Sequence, residues 1–302
     1  MTTPAVSVLM TSYNREDYIA ESIESVLGQT YTDFELIVCD DASRDRTVEI
    51  AQCYARRDTR IRVIVNDRNL GDYPNRNHAA RFVRGQYMKF HDSDDVMYPH
   101  CLELMVSALD AEPRADFALS AHRAWSGGAS PMLLTPSLAY EREFLGTGLF
   151  HLGPASALFR SAFFHDRGGF GLAGAASDYL FWLRACARVN VVLVQTDLFY
   201  YRVHDGQELS SPVSALDYAR SKAQTWAMLN SDECPLAGAR LEQAKRNFVF
   251  TIVRDAYYHA RRSRYREAVA VLREAAIGPS GWIHYLRRPS RTTTAGTPAP
   301  GR

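Results

Sequence analysis

The sequence predicts an α/β protein, a mostly parallel sheet covered by helices on both faces, followed by a helical C-terminal extension. Three observations carry this prediction. Short apolar runs alternate with stretches whose apolar residues recur at helical spacing, the pattern of parallel strands joined by crossover helices. Polar residues rich in Asp and Asn follow the ends of those runs, where the loops of such a sheet gather. Beyond Pro212 the strand-like runs stop and only helical periodicity remains.

Residues 6–10 (VSVLM) read as a buried strand, and residues 17–27 then place Ile19, Ile23, Val26 and Leu27 on one helical face. The alternation continues with a strand over 34–39, a helix over 46–56, a strand over 61–65, a helix over 75–83 and a strand over 87–90. A helix over 99–109 and a returning strand over 117–124 follow. Gly, Ser and Pro make 126–137 a loop or mobile flap. Residues 178–187 read as a helix and 191–201 as one or two strands. Helices are expected over 215–229, 239–261 and 265–275, the last two forming an αα-hairpin broken at 262–264. From 289 onward Thr, Gly, Pro and Arg predict a disordered tail.

With 302 residues the chain has enough length to bury a large core, and its 46% hydrophobic and 23% charged content is that of a soluble globular protein. A net charge of +1 argues against a nucleic-acid binder, which normally carries a basic excess. Charge is uneven, however: residues 240–302 hold thirteen Lys and Arg against four Asp and Glu. Five cysteines at wide spacing form no paired motif and fit a reducing, cytoplasmic setting. Residues 1–4 lead straight into a strand, without the regions of a secretory signal. No apolar run approaches the ~20 residues that cross a bilayer, so membrane contact is expected to be peripheral, at the inner face.

The densest chemistry is Asp92-Ser93-Asp94-Asp95, directly after the strand over 87–90. Carboxylates this close repel unless a cation or protons neutralise them. A helix cap would need one of these Asp residues, not three. Hard oxygen ligands suit Mn²⁺ or Mg²⁺, which complete their shell with phosphate oxygens and water. Asp40 and Asp41 make a second acidic pair after the second strand, and either can accept an N–H of a nucleobase. Ser43 or Asp45 suffices to cap the helix that follows. No Gly-rich phosphate loop follows the first strand, where Thr11-Ser12-Tyr13-Asn14 stands, so a nicotinamide or Walker-type site is disfavoured.

Together these pieces resemble the donor-binding half of inverting family 2 glycosyltransferases, of the spore-coat polysaccharide type, which have the Rossmann-like GT-A fold. The matching segments are SVLMTSYN (7–14), SVLGQTY (25–31), FELIVCDDAS (34–43), Asn69-Leu70-Gly71, Asn75-Arg76-Asn77, Gly85-Gln86-Tyr87 and the Asp92 cluster. The resemblance implies a nucleotide-sugar donor, UDP-sugar favoured, with Thr11, Tyr13, Asn14, Asp40 and Asp41 around the base. Arg76 would reach base or diphosphate. Asp94 would contact ribose or metal, Asp95 would be the metal ligand proper, and Asp92 and Ser93 would support them.

By the same resemblance Asp178, at the start of a helix, would be the catalytic base, although Ser177 stands where many relatives carry a second acid. In Tyr200-Tyr201-Arg202-Val203-His204, Arg202 would neutralise diphosphate charge and His204 would complete the metal site. The Gln-x-x-Arg-Trp segment of processive members is absent after Asp178, which implies one sugar per encounter. The expected organisation is a GT-A domain over 1–212, with donor half 1–110 and acceptor half 111–212. A helical extension over 213–288 and a tail over 289–302 complete it. The acceptor would be a saccharide or a lipid-linked saccharide of surface polysaccharide or glycolipid synthesis, bordered by the flap over 126–137 and by 146–153. The basic region around Arg287, Arg288 and Arg291 would touch lipid. A nucleotidyltransferase and an inactive sugar-nucleotide binding protein are the competing readings.

Overall fold

The computed structural model describes residues 3–121, 130–204 and 212–286. The expected tail, with Arg287, Arg288 and Arg291, lies outside the described residues, as do 122–129 of the expected strand end and flap. Chain order is β1 (Val6–Ser12), α1 (Ile19–Leu27), β2 (Phe34–Asp40), α2 (Thr47–Ala55), β3 (Ile61–Val65), α3 (Asp72–Ala80) and β4 (Tyr87–Asp92). Next come β5 (Val96–Met97), α4 (Cys101–Ala111), β6 (Ala115–Ser120), β7 (Met132–Leu134), α5 (Pro136–Leu145), β8 (Ala157–Arg160) and α6 (Ser161–Asp166). The chain continues with α7 (Ser177–Ala185), β9 (Asn190–Val194), β10 (Phe199–Tyr200), α8 (Pro212–Leu229), α9 (Gly238–Arg261), α10 (Tyr265–Glu274) and α11 (Pro279–Leu286).

Eight strands form one sheet in the order β3-β2-β1-β4-β8-β6-β9-β7. The predicted α/β class and mostly parallel sheet are what the structure shows: β8 and β7 run against the other strands. Every residue of β1 and β2 is buried, because helices cover both faces and leave no solvent side for an alternating pattern. Val8, Met10, Leu36 and Val38 meet Ile19 and Ile23 of α1 and Met105 of α4 on one face. Leu9, Ile37 and Phe90 join an aromatic core on the other. There Trp182 of α7 stacks on Phe117 of β6 at 5.5 Å and on Phe159 of β8 at 5.7 Å between ring centroids, fixing α7 against these neighbouring strands.

The segment predicted as a flap behaves differently where it is described. Residues 132–134 pair with β9 at the sheet edge and Pro136 opens α5, capped by the Thr135 hydroxyl. Edge pairing satisfies the backbone of a short strand that carries too little periodic signal to be read from sequence. The helical hairpin is found as expected, with α10 packed on α9 and α8. Among the described residues no helix is long and apolar enough to cross a membrane.

Candidate functional site

The carboxyl ends of β1, β2 and β4 open, together with the start of α7, into a cavity of about 770 Å³. Its wall includes Thr11, Tyr13, Asn14, Asp41, Arg76, Asp92, Ser93, Asp94 and Asp178 of the residues expected from sequence. Asp40, Asp95, Arg202 and His204 stand behind that wall, and their partners explain why.

Asp40 is fully buried and accepts hydrogen bonds from Ser12 Oγ at 3.0 Å, Ser43 N at 2.8 Å and Ser43 Oγ at 2.5 Å. It fastens the loop after β2, where Ala42 takes a left-handed φ of 62°. Asp41 faces the cavity, yet it also accepts from Leu70 N at 2.8 Å, Gly71 N at 2.9 Å and Asn66 Nδ2 at 2.8 Å. Those bonds hold the turn that enters α3. Asn14 carries a φ of 51° and accepts from Arg44 N at 2.9 Å, so the loops after β1 and β2 are laced to each other beside Tyr13.

Arg76 is the pivot of the cavity floor. Its Nε meets Asp72 at 2.8 Å, one Nη meets Asp92 at 2.7 Å, and the other, Nη1, is buried with no hydrogen-bond partner. Burial would favour losing its proton, but Asp72 and Asp92 outweigh burial and hold the guanidinium charged. Burial likewise pushes the Asp92 carboxyl up, and Arg76 overrides it, leaving Asp92 below the usual range.

A two-stranded ribbon, β5 paired antiparallel with β10, brings the segment after Tyr200 across the acidic loop. Arg202 N donates to Asp95 Oδ1 at 3.0 Å, Arg202 Nε donates to the Asp94 carbonyl at 2.9 Å, and its Nη2 meets Glu21 at 2.6 Å. Arg202 therefore braces the loop. Asp94 Oδ2 lies 2.9 Å from Arg15 Nε and 3.0 Å from His204 Nε2, whose ring packs on Tyr18. Asp95 is buried with Oδ2 unpartnered, and burial together with Asp92 pushes its carboxyl up to about 8.

Among the described residues no three His, Cys, Asp or Glu side chains converge as a ready metal cage. A cation that takes one or two carboxylates and fills its shell with phosphate oxygens does not need one. Asp94 on the cavity wall, His204 beside it and the orphaned Asp95 oxygen behind it match that demand. Burial and Asp92 keep the Asp95 carboxyl protonated until a positive charge is brought beside it, and a cation that displaces that proton would satisfy the orphaned oxygen.

At the far wall Asp178 sits in the first turn of α7 and accepts from Tyr179 N at 2.6 Å. Burial pushes its carboxyl up to about 7, against the opposing pull of that amide, the Tyr73 side chain and Arg76. A carboxylate titrating there can take a proton near neutral pH. The turn before it is held from the C-terminal helices: Asp217 of α8 accepts from Ala175 N at 3.1 Å. Gly174, at φ +60°, lies so close that a Cβ would stand 1.9 Å from the Asp217 carboxylate. Tyr218 and His151 complete this wall. Asp217, Tyr218, Tyr73, Asp72 and Arg15 carried no recognisable motif; α3 begins at Asp72, ahead of the helix expected from residue 75, and so sets Asp72 one turn before Arg76 as an i,i+4 ion pair.

A family model described as glycosyl transferase family 2 matches residues 7–168. Among curated relatives, the Escherichia coli UDP-Glc:alpha-D-GlcNAc-diphosphoundecaprenol beta-1,3-glucosyltransferase WfgD is 40% identical over 104 residues, 34% of this chain and 40% of that protein. The chain spans about two fifths of the length of the curated relatives it matches. In solved structures the fold matches Staphylococcus aureus TarS 1–349 in complex with UDP-GlcNAc, with TM-score 0.63 and 21% identity over 88% of this chain and 90% of that one. It also matches the mannosyltransferase PcManGT of Pyrobaculum calidifontis in complex with GDP-Man and Mn²⁺, with TM-score 0.63 and 18% identity over 91% of this chain and 76% of that one. At these identities the structural likeness speaks for the GT-A fold alone.

Proposed function

The chain belongs to glycosyl transferase family 2, and from that premise we propose that it moves a sugar from a nucleoside-diphosphate donor to an acceptor hydroxyl with inversion. The observation that supports this reading most is one cavity with a cation-ready acidic loop on one wall and Asp178 on the other. Thr11, Tyr13 and Asn14 would meet the base, with Asp41 beside them and Asp40 holding their loop. Arg76 Nη1, the buried donor without a partner, would meet the diphosphate.

A divalent cation, Mn²⁺ or Mg²⁺, held at Asp94 and Asp95 with His204 beside them, would supply charge neutralisation for the departing diphosphate. Asp178 takes the proton of the acceptor hydroxyl as its oxygen bonds to the anomeric carbon, while the bond from that carbon to the diphosphate oxygen breaks on the opposite face. One sugar is moved per encounter. A UDP-sugar is the favoured donor, supported by the UDP-sugars named with WfgD and TarS. The acceptor we infer is a saccharide or lipid-linked saccharide of surface polysaccharide or glycolipid synthesis, supported by the acceptor that WfgD is named for.

A screen of UDP-, GDP- and dTDP-sugars, read as nucleoside diphosphate release with Mn²⁺, with Mg²⁺ and with EDTA, tests the reading. Release of nucleoside diphosphate from at least one donor, abolished by EDTA, is expected. Conversion of a donor to nucleoside triphosphate and sugar 1-phosphate when pyrophosphate is added, with no nucleoside diphosphate released, would point to nucleotidyl transfer, and binding of a donor without turnover to an inactive binder.

A further inference from the structure

The helices after Pro212 carry two apolar surfaces, and the fold covers only one. Phe248, Ile252 and Ala256 of α9 are buried, as are Ala268 and Val271 of α10. That stripe packs the hairpin onto the rest of the molecule. Beside it on α10, Tyr265, Val269 and Leu272 recur at i, i+4 and i+7 and so share one face. They are 65%, 63% and 42% exposed. The apolar arc of α10 is therefore wider than the contact that α8 and α9 make with it. At the facing end of α9, Tyr257 and Tyr258 are 62% and 54% exposed.

The charge around this surface has one sign in excess. Arg254, Arg261, Arg262, Arg264, Arg266 and Arg273 are all exposed, against Asp255, Glu267 and Glu274. Asp255 is already paired with Lys222 at 2.7 Å. The Arg262 guanidinium lies 3.7 Å over the Tyr258 ring and Arg261 6.0 Å from the Tyr257 centroid. An apolar stripe with tyrosines at its border and arginines around it is the composition of a helix that lies in the headgroup region of an anionic bilayer. Each arginine there adds attraction that salt weakens.

We propose that the α9–α10 hairpin docks this protein on an anionic lipid surface, with Tyr265, Val269 and Leu272 entering the headgroup layer and the surrounding arginines meeting lipid phosphates. A second copy of the chain fits less well, since two such surfaces would bring like charges together. The hairpin packs on α8, which supplies Tyr218 to the cavity wall, so docking would hold the acceptor side of the cavity near the bilayer.

The test is co-sedimentation of the full chain with vesicles of phosphatidylcholine alone and with about 30 mol% phosphatidylglycerol, at low and high salt. The wild type is expected to bind the anionic vesicles at least ~10-fold more strongly than the neutral ones, and to be released by salt. A Tyr265→Ser/Val269→Ser/Leu272→Ser variant is expected to lose most of that binding, with unchanged circular dichroism and unchanged nucleotide binding, because all three side chains face outward. Absence of binding to anionic vesicles would overturn the proposal, and so would full binding by the triple variant. A dimer in sedimentation velocity that the same variant dissolves, with no vesicle binding, would replace it with self-association. Each of these readouts is independent of sugar transfer.

Discussion

Replacing Asp178 with Asn is expected to lower sugar transfer by roughly 10²–10⁴-fold, the range associated with losing a positioned general base, while nucleotide affinity stays unchanged. The side chain keeps its size and can still accept from Tyr179 N, so the wall of the cavity survives. What disappears is the ability to take a proton. In the wild type kcat/KM should rise as pH increases through about 7, where burial places the Asp178 carboxyl of the free protein; the residual activity of the variant should lack that step. The same shift has a stability consequence. Between the unfolded value near 3.8 and the folded value of about 7 the native state binds the extra proton, so raising pH across that window costs stability. Asp178→Asn removes the cost, and its melting temperature should exceed that of the wild type above pH 7. Equal kcat in the two proteins would remove Asp178 from the chemistry.

Arg76→Met is expected to destabilise the fold by about 3–5 kcal/mol, the typical consequence of removing one member of a buried ionic group. Arg76 is 7% exposed and pairs with both Asp72 and Asp92, so its loss takes away the guanidinium that holds the Asp92 carboxyl charged against burial. Methionine fills similar volume but supplies no charge. Urea unfolding at pH 7.5 should show the lower midpoint, and nucleoside diphosphate should bind weakly to whatever folded protein remains. A midpoint equal to that of the wild type would mean that Asp92 does not depend on Arg76 for its counter-charge.

The strands and crossover helices of the first hundred residues were legible because each element repeats one period and ends in a polar loop; β2 and α2 lie within a residue or so of where periodicity puts them. The same is true of α9 and α10. The short pieces were not legible. β7 and β8 span only Met132–Leu134 and Ala157–Arg160, too few residues for a period to show, and their pairing depends on partners distant in the chain. At the site, a run such as Asp92 to Asp95 announces itself, but the sequence does not show which carboxylate meets the cavity. That depends on the ribbon formed by β5 and β10, which sets Arg202 and His204 over the loop. Nor could composition reveal that Asp217, in the helical extension, steadies the turn leading to Asp178.

If the acidic loop holds a donor diphosphate through a divalent cation, calorimetric titration of UDP will register it without any acceptor present. With Mn²⁺ present the wild type should bind; with EDTA it should lose that binding, and Asp94→Ala should bind at least ~10-fold more weakly in Mn²⁺, in keeping with loss of a charged ligand contact. Equal UDP affinity in Mn²⁺ and in EDTA, unchanged in Asp94→Ala, would mean that no cation at this loop holds the diphosphate.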